Sequence, residues 1–350
     1  MSVQAVESKP SGVSLFSGDR GFVRLALGAS VVTFLMITIG AITRVTESGY
    51  GCGPYWPSCN GHLIPEFHDM TVVWEFGHRV FALIVGAFSL WVTLRAWRDY
   101  RRISRIFTPA MIGFLLFFVQ SGLGAVTVAL YRDAPDLQWL SVLLHLGNSM
   151  FLLACYLVVW VNARSLTAGD SVYGLSRGTS AMVIPPLELH LGTILSFMVA
   201  MVGAAVAGTN AAKACVGYPL CGGEVWPTAQ GPLQLLNMLH RLIAGSLGLM
   251  LVLMAYQVIT SRTGLHRVIR TALFTAGALY LAQAFLGALV VLVNDRDWLV
   301  VSRSLHVTFA AATWAAMVTA STVGWLQVSP NVVSKKQTPL TEAHSATTSS

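Results

Sequence analysis

Trp74-Glu75-Phe76-Gly77-His78-Arg79 stands at the mouth of a long apolar segment and sets a carboxylate, an imidazole and a guanidinium where lipid would begin. Glu75 and His78 are three residues apart, so on a helix they share a face. Ionisable groups at such a place are costly and usually functional. A related stretch, Asn237-Met238-Leu239-His240-Arg241, recurs 162 residues later. The recurrence turns a local oddity into an architecture.

Composition fixes the phase around this stretch. Of 350 residues 55% are hydrophobic and 11% are charged, far too apolar for a soluble globular domain. Eight apolar segments run from Phe22 to Thr43, Val73 to Leu94, Phe107 to Leu130, Leu140 to Val161, Leu187 to Gly208, Leu233 to Ile259, Val268 to Val293 and Val301 to Leu326. Each has the roughly 20 residues that a helical span requires. The expected fold is all-α integral membrane, with eight transmembrane helices. Residues 1–21 are polar and lack the apolar core of a signal peptide, and Glu7 and Asp19 argue against a mitochondrial transit peptide.

The basic residues set an orientation. Lys9, Arg20, Arg24, Arg95, Arg98, Arg101, Arg102, Arg105, Arg164, Arg177, Arg262, Arg267, Arg270, Lys335 and Lys336 all fall on one side of the predicted spans. That side is expected to be the cytoplasm of a plasma membrane, with both termini in it. The same asymmetry explains the net charge of +7 without a nucleic-acid partner. Residues 327–350, rich in Ser and Thr and without periodicity, are expected to be disordered.

The two longest connections on the other side follow helices 1 and 5, and each holds a cysteine pair. Cys52 and Cys59 enclose Gly-Pro-Tyr-Trp-Pro-Ser, and Cys215 and Cys221 enclose Val-Gly-Tyr-Pro-Leu. A disulfide persists on an oxidising side, so structural disulfides are expected over a metal site or free thiols. A redox role for the first pair stays open. Cys155, alone in helix 4, reads as a small core residue.

Shifted by 161 to 163 residues, the chain matches itself: Gly40 falls on Gly203, Cys52 on Cys215, Cys59 on Cys221, His78-Arg79 on His240-Arg241, and His145 on His306. Gln120 and Leu123-Gly124-Ala125 fall on Gln283 and Leu286-Gly287-Ala288. The protein therefore reads as two tandem four-helix bundles, residues 22–163 and 187–326. Four helices per half bring both halves in from the same side, as parallel repeats.

His78 and His145 each lie about five residues into an apolar segment, roughly 8 Å below its start at 1.5 Å per residue. Their helices run the same way, so the two rings stand level, and His240 and His306 repeat the arrangement. Two level imidazoles in a four-helix bundle suit a flat iron macrocycle held from both faces. A single histidine in an apolar helix is more often a hydrogen-bonded core residue; four, paired and duplicated, favour heme ligation. Zinc would want further carboxylate or thiolate ligands, and copper leaves the bundle's width unexplained. His62 and His68 read as solvated, and His190, His266 and His344 have no evident partners. Arg79, Arg241 and Arg303 either snorkel to the interface or pair with heme propionates.

The halves differ at one place. Glu75 stands a turn before His78, and Asn237 takes the matching place before His240. A carboxylate exchanges protons and an amide does not, so the first half reads as reactive and the second as a fixed redox centre. Glu75 could instead charge a helix start or orient an imidazole. Glu47 and Glu66, in the same loop, are weaker candidates for proton delivery.

The run Gly51-Cys52-Gly53-Pro54-Tyr55-Trp56-Pro57-Ser58-Cys59-Asn60-Gly61, with Glu75-x-x-His78-Arg79, His145, His240-Arg241 and His306, resembles the heme A synthase family over essentially the whole membrane region. The resemblance implies an eight-helix oxidoreductase that converts the C8 methyl of heme O to a formyl group, making heme A for terminal oxidases. It further implies that His78 and His145 face heme O, that His240 and His306 ligate heme b as cofactor, and that Glu75 is the essential acid. The expected partners are heme O, the bilayer, an unidentified electron partner, heme O synthase or oxidase assembly factors, and further copies of the chain. Two alternatives are a di-heme b-type carrier linked to quinol, which leaves the contrast between Glu75 and Asn237 unexplained, and a heme transporter, which would have broken helices.

Overall fold

The computed structural model describes residues 19–167, 184, 186–260 and 267–328. Outside them lie the segment before Asp19, the tail from Ser329 with His344, Lys335 and Lys336, and the connections holding Arg177, Arg262 and His266. Helices α1 (Arg20–Val45), α2 (Met70–Tyr100), α3 (Ser104–Asp133) and α4 (Gln138–Thr167) make the first half. Helices α5 (Pro186–Gly208), α6 (Pro232–Thr260), α7 (Arg267–Leu292) and α8 (Arg296–Val328) make the second. All eight are long and apolar enough to cross a membrane, and the chain is a multi-pass membrane protein.

The helices outrun the apolar segments because polar residues cap and continue them. Asp69 accepts the Thr71 N–H at 2.9 Å and starts α2 three residues before Val73. Asp19 does the same for α1 through the Gly21 N–H at 2.6 Å. Both carboxyls are held below the ordinary Asp value, Asp19 chiefly by its bond to Arg95 and Asp69 by the Thr71 amide.

Polarity is arranged for a lipid solvent. Leu27, Leu83, Leu115 and Phe285 point outward, whereas Ser30 and Thr33 are buried and return their hydroxyls to the carbonyls of Ala26 and Ala29. On α1 the buried Phe22, Ala26, Ala29, Thr33, Ile37 and Ala41 recur three to four residues apart. Small residues on such a stripe let neighbouring backbones approach.

In the first half α1 and α3 each pack on both α2 and α4. Among the described residues no Cα of α2 lies within 8 Å of one in α4, so these two helices are diagonal. The second half repeats this, with α6 and α8 diagonal between α5 and α7. The halves meet through α1, α4, α5 and α8. At that seam the buried Trp314 packs with Ile37, Leu153 and Val318 and donates its indole N–H to the Met150 carbonyl at 3.2 Å.

The tight packing of α3 ends early: its buried residues are Ile106, Ala110 and Gly113, all in the part away from the cysteine loops. On α7 the buried Ile269, Ala272, Leu273 and Ala276 lie likewise, followed only by Gln283. Each bundle is therefore sealed at one end and looser at the other, which is where the histidines lie.

Candidate functional site

His78 and His145 reach across the first diagonal with ring centres 6.5 Å apart and planes at 44°. His240 and His306 cross the second at 6.4 Å and 72°. They stand eight, seven, eight and ten residues into their helices, so about 10–15 Å deep at 1.5 Å per residue. That is deeper than the apolar boundaries imply, because the helices begin earlier. Two imidazoles that each put a nitrogen ~2 Å from one metal have ring centres roughly 6 Å apart. Both pairs have that spacing.

Each imidazole rests in a glycine notch on the helix before it. A Cβ on Gly40 of α1 would meet His78 Cε1 at 3.1 Å, and on Gly124 of α3 it would meet His145 Cε1 at 3.5 Å. In the second half the distances are 2.8 Å from Gly203 to His240 and 3.0 Å from Gly287 to His306. Any larger residue at the tight positions would push the ring toward its partner. The glycines therefore set how far apart the facing nitrogens stand.

The ring nitrogens also bear on what fits between them. His306 Nδ1 lies 2.9 Å from the Gln283 carbonyl oxygen, and donating a proton there leaves Nε2 free to bind a metal. The Nδ1 atoms of His78 and His145 are buried without a hydrogen-bond partner, and that of His240 is buried beside the Val199 backbone. At His78 Nδ1 sits on the Gly40 side, 3.7 Å from a Cβ built there, so Nε2 is the nitrogen left for a metal between the rings. Among the described residues no three His, Cys, Asp or Glu gather as a metal site. A tetrahedral ion thus lacks its ligand set, whereas a macrocycle carrying its own equatorial donors needs only the two imidazoles. The residues present fit heme.

Above each pair a cysteine loop is strapped to the histidine's helix. The sulfurs of Cys52 and Cys59, and those of Cys215 and Cys221, are within bonding distance. Arg79 Nη1 donates to the carbonyls of Tyr55 at 2.7 Å and Ser58 at 2.5 Å. Arg241 Nη1 donates to those of Gly217, Pro219 and Leu220 at 3.2, 2.9 and 3.2 Å. Glu75 is 4% exposed; one oxygen accepts the Cys52 N–H at 2.7 Å and the other accepts Arg79 Nη2. Asn237 instead donates to the carbonyls of Ala211 and Ala212 at 2.6 and 3.0 Å, and Arg241 Nη2 is left buried and unpaired. The contrast between Glu75 and Asn237 thus extends to the arginine: one half has an ion pair, whereas in the other the guanidinium lies over the Tyr218 ring, 5.3 Å from its centre, and has no carboxylate among the described residues.

Of the three arginines, only Arg303 has no protein partner among the described residues. Val142 holds the corresponding place in the first half. His62 is exposed, and His68 bonds Glu66 at 2.8 Å with both side chains 83% exposed, as solvated residues should be. Cys155 is a free thiol packed beside Gly113. His190 departs from expectation: its Nδ1 lies 2.5 Å from Ser321 Oγ on α8, a partner 131 residues away that spacing does not reveal. All eight helices are unbroken, unlike those a transporter would need.

The sequence profile of the cytochrome oxidase assembly protein family, COX15-CtaA, matches residues 23–318. The chain belongs to this family. It is 33% identical over 271 residues to the heme A synthase of Symbiobacterium thermophilum, covering 76% of this chain and 84% of the relative. It is 31% identical to the heme A synthase of Shouchella clausii, over 78% of this chain and 87% of the relative. A third heme A synthase, from an Exiguobacterium species, is 30% identical over 78% and 82%.

For this family member, sequence reasoning paired Gly40 with Gly203, and Gly124 with Gly287, as markers of the repeat, and missed that all four seat imidazoles. The signal was available, since a glycine was duplicated wherever a histidine was. The straps of Arg79 and Arg241 were missed for a different reason. Their acceptors are backbone carbonyls, which leave no mark in residue types.

Proposed function

We propose that this family member is a heme A synthase, oxidising the C8 methyl of heme O to a formyl group. The observation that carries the reading is the duplicated pair of imidazoles at 6.5 and 6.4 Å across two diagonals, in a chain about 30% identical to heme A synthases over most of its length. Methyl to formyl takes two successive two-electron oxidations, so the chain must hold its substrate still, pass electrons and handle protons. His78 and His145 hold the substrate heme O. His240 and His306 hold heme b, which when bound supplies an electron store.

Glu75 handles protons at the first site. The family relationship and the absence of a carboxylate at Asn237 support that role. With both oxygens accepting hydrogen bonds, it works from a carboxylate anchored between the Cys52 amide and Arg79. Arg79 and Arg241 strap the loops, and Arg303, with no protein partner among the described residues, binds a propionate of the resident heme. Because Val142 stands at the matching place in the first half, the substrate heme lacks that anchor and can leave. Both cysteine pairs are disulfides that close the loops, on the extracytoplasmic side of the plasma membrane, where the basic asymmetry sets them.

The test is pigment extraction from cells that make heme O, with and without this chain. Heme A is expected only with it; unchanged heme O in both would overturn the assignment. The di-heme carrier reading has no observation that favours it over this one.

A further inference from the structure

Each cysteine loop ends in the same small hairpin. Cys59 and His62 exchange backbone hydrogen bonds at 3.0 and 2.9 Å around Asn60-Gly61, and Cys221 and Glu224 do so at 3.1 and 3.0 Å around Gly222-Gly223. All four central residues have positive φ, from 51° to 84°, the conformation of a tight two-residue turn. Directly after each hairpin comes an apolar pair followed by a proline: Leu63-Ile64-Pro65 and Val225-Trp226-Pro227. Leu63 is 91% exposed, Ile64 75%, Val225 52% and Trp226 54%. A tip built twice with uncovered apolar side chains calls for something to cover it.

The fold says where the tips lie. Cys52 bonds Glu75 five residues into α2, and Arg79, nine residues or about 14 Å in, reaches the carbonyls of Tyr55 and Ser58. Asn237 and Arg241 tie the second loop at the same places on α6. The loops are therefore tied to the first turns of spanning helices, at the depth of the membrane surface. Phe67, three residues past Ile64, packs on Phe76 six residues into α2 with ring centres 5.7 Å apart, which holds the stretch after the first hairpin at the same level.

We propose that the pairs Leu63-Ile64 and Val225-Trp226 insert into the bilayer interface on the cysteine-loop side, as twin fingers that fix the depth of each loop over its imidazole pair. The occupant is lipid, because the bonds to Glu75, Arg79, Asn237 and Arg241 tie both loops to the first turns of spanning helices, where the headgroups of a membrane lie. Trp, Leu and Ile at headgroup depth match what interfacial segments present.

The test uses the purified full chain in phosphatidylcholine–phosphatidylglycerol nanodiscs doped with a phospholipid bearing a diazirine near the top of its acyl chain. After irradiation, adducts are mapped by mass spectrometry, and hydroxyl-radical footprinting is run in parallel. Adducts at Leu63, Ile64, Val225 and Trp226 should match those at the exposed Val80, beside Arg79, with little oxidation at the same residues. Fingers that are heavily oxidised and free of adducts face water, and the proposal fails. Fingers silent to both reagents are covered by a second copy, and it fails equally. A Leu63→Asp, Ile64→Asp variant should lose adducts and gain oxidation at the first finger alone, leaving those at Val80 and Trp226.

Discussion

Glu75 and Asn237 occupy one place in two copies of the same structure, so they test single-residue roles against a built-in control. Glu75→Gln keeps an oxygen for the Cys52 amide but loses the charge facing Arg79. The expected outcome is loss of heme A formation with second-half heme content unchanged; normal turnover would remove Glu75 from the chemistry. The glycine notches give a second comparison. Gly203→Ala on α5 places a methyl 2.8 Å from His240 and should shift or abolish the heme absorption bands, whereas Gly245→Ala on α6 meets nothing within 4 Å. Alanine is the better helix former by roughly 1 kcal/mol, so any loss in the first variant comes from the ring and not from the helix.

At the scale of elements, the helix starts and the loops strapped to them carry the site. The Thr71 amide holds Asp69 below its ordinary value, so the cap's contribution is full above the unfolded-state pKa and fades as pH falls through the folded one. After correction for intrinsic rates, amide exchange at Thr71 should therefore accelerate only in the acid range below the ordinary Asp value of 3.8. Constant protection there would mean that the cap is not the carboxylate. Asn237→Glu offers Arg241 the partner that Arg79 has, and should slow exchange across residues 215–224; faster exchange would show that the lost bonds to Ala211 and Ala212 matter more. Helix positions were legible because apolar length is written directly in the chain. The straps were not, because a guanidinium reaching 21 to 24 residues back to loop carbonyls leaves no periodic trace.

For the whole molecule, the repeat was the most legible feature, since cysteines and intramembrane histidines are too rare to coincide at a nearly constant shift by accident. What it could not give was the seam. Trp314 bonding Met150 joins residues 164 apart from different halves, and nothing in either helix alone marks the contact. The account makes one bundle exchange its heme and the other keep it, with Arg303 against Val142 as one cause. Arg303→Val should speed heme loss from the purified chain into an excess of apomyoglobin, and Val142→Arg should leave heme bound in the first half. Unchanged rates in both variants would place the anchor elsewhere.

The central claim is that two pairs of imidazoles, not four separate histidines, hold heme. Its most direct test is the heme spectrum of four purified variants, with alanine replacing His78, His145, His240 or His306 in turn. The account predicts that the second-half variants each lose the low-spin bis-imidazole spectrum, while the first-half variants keep it and make no heme A. A spectrum that survives in all four variants would contradict it.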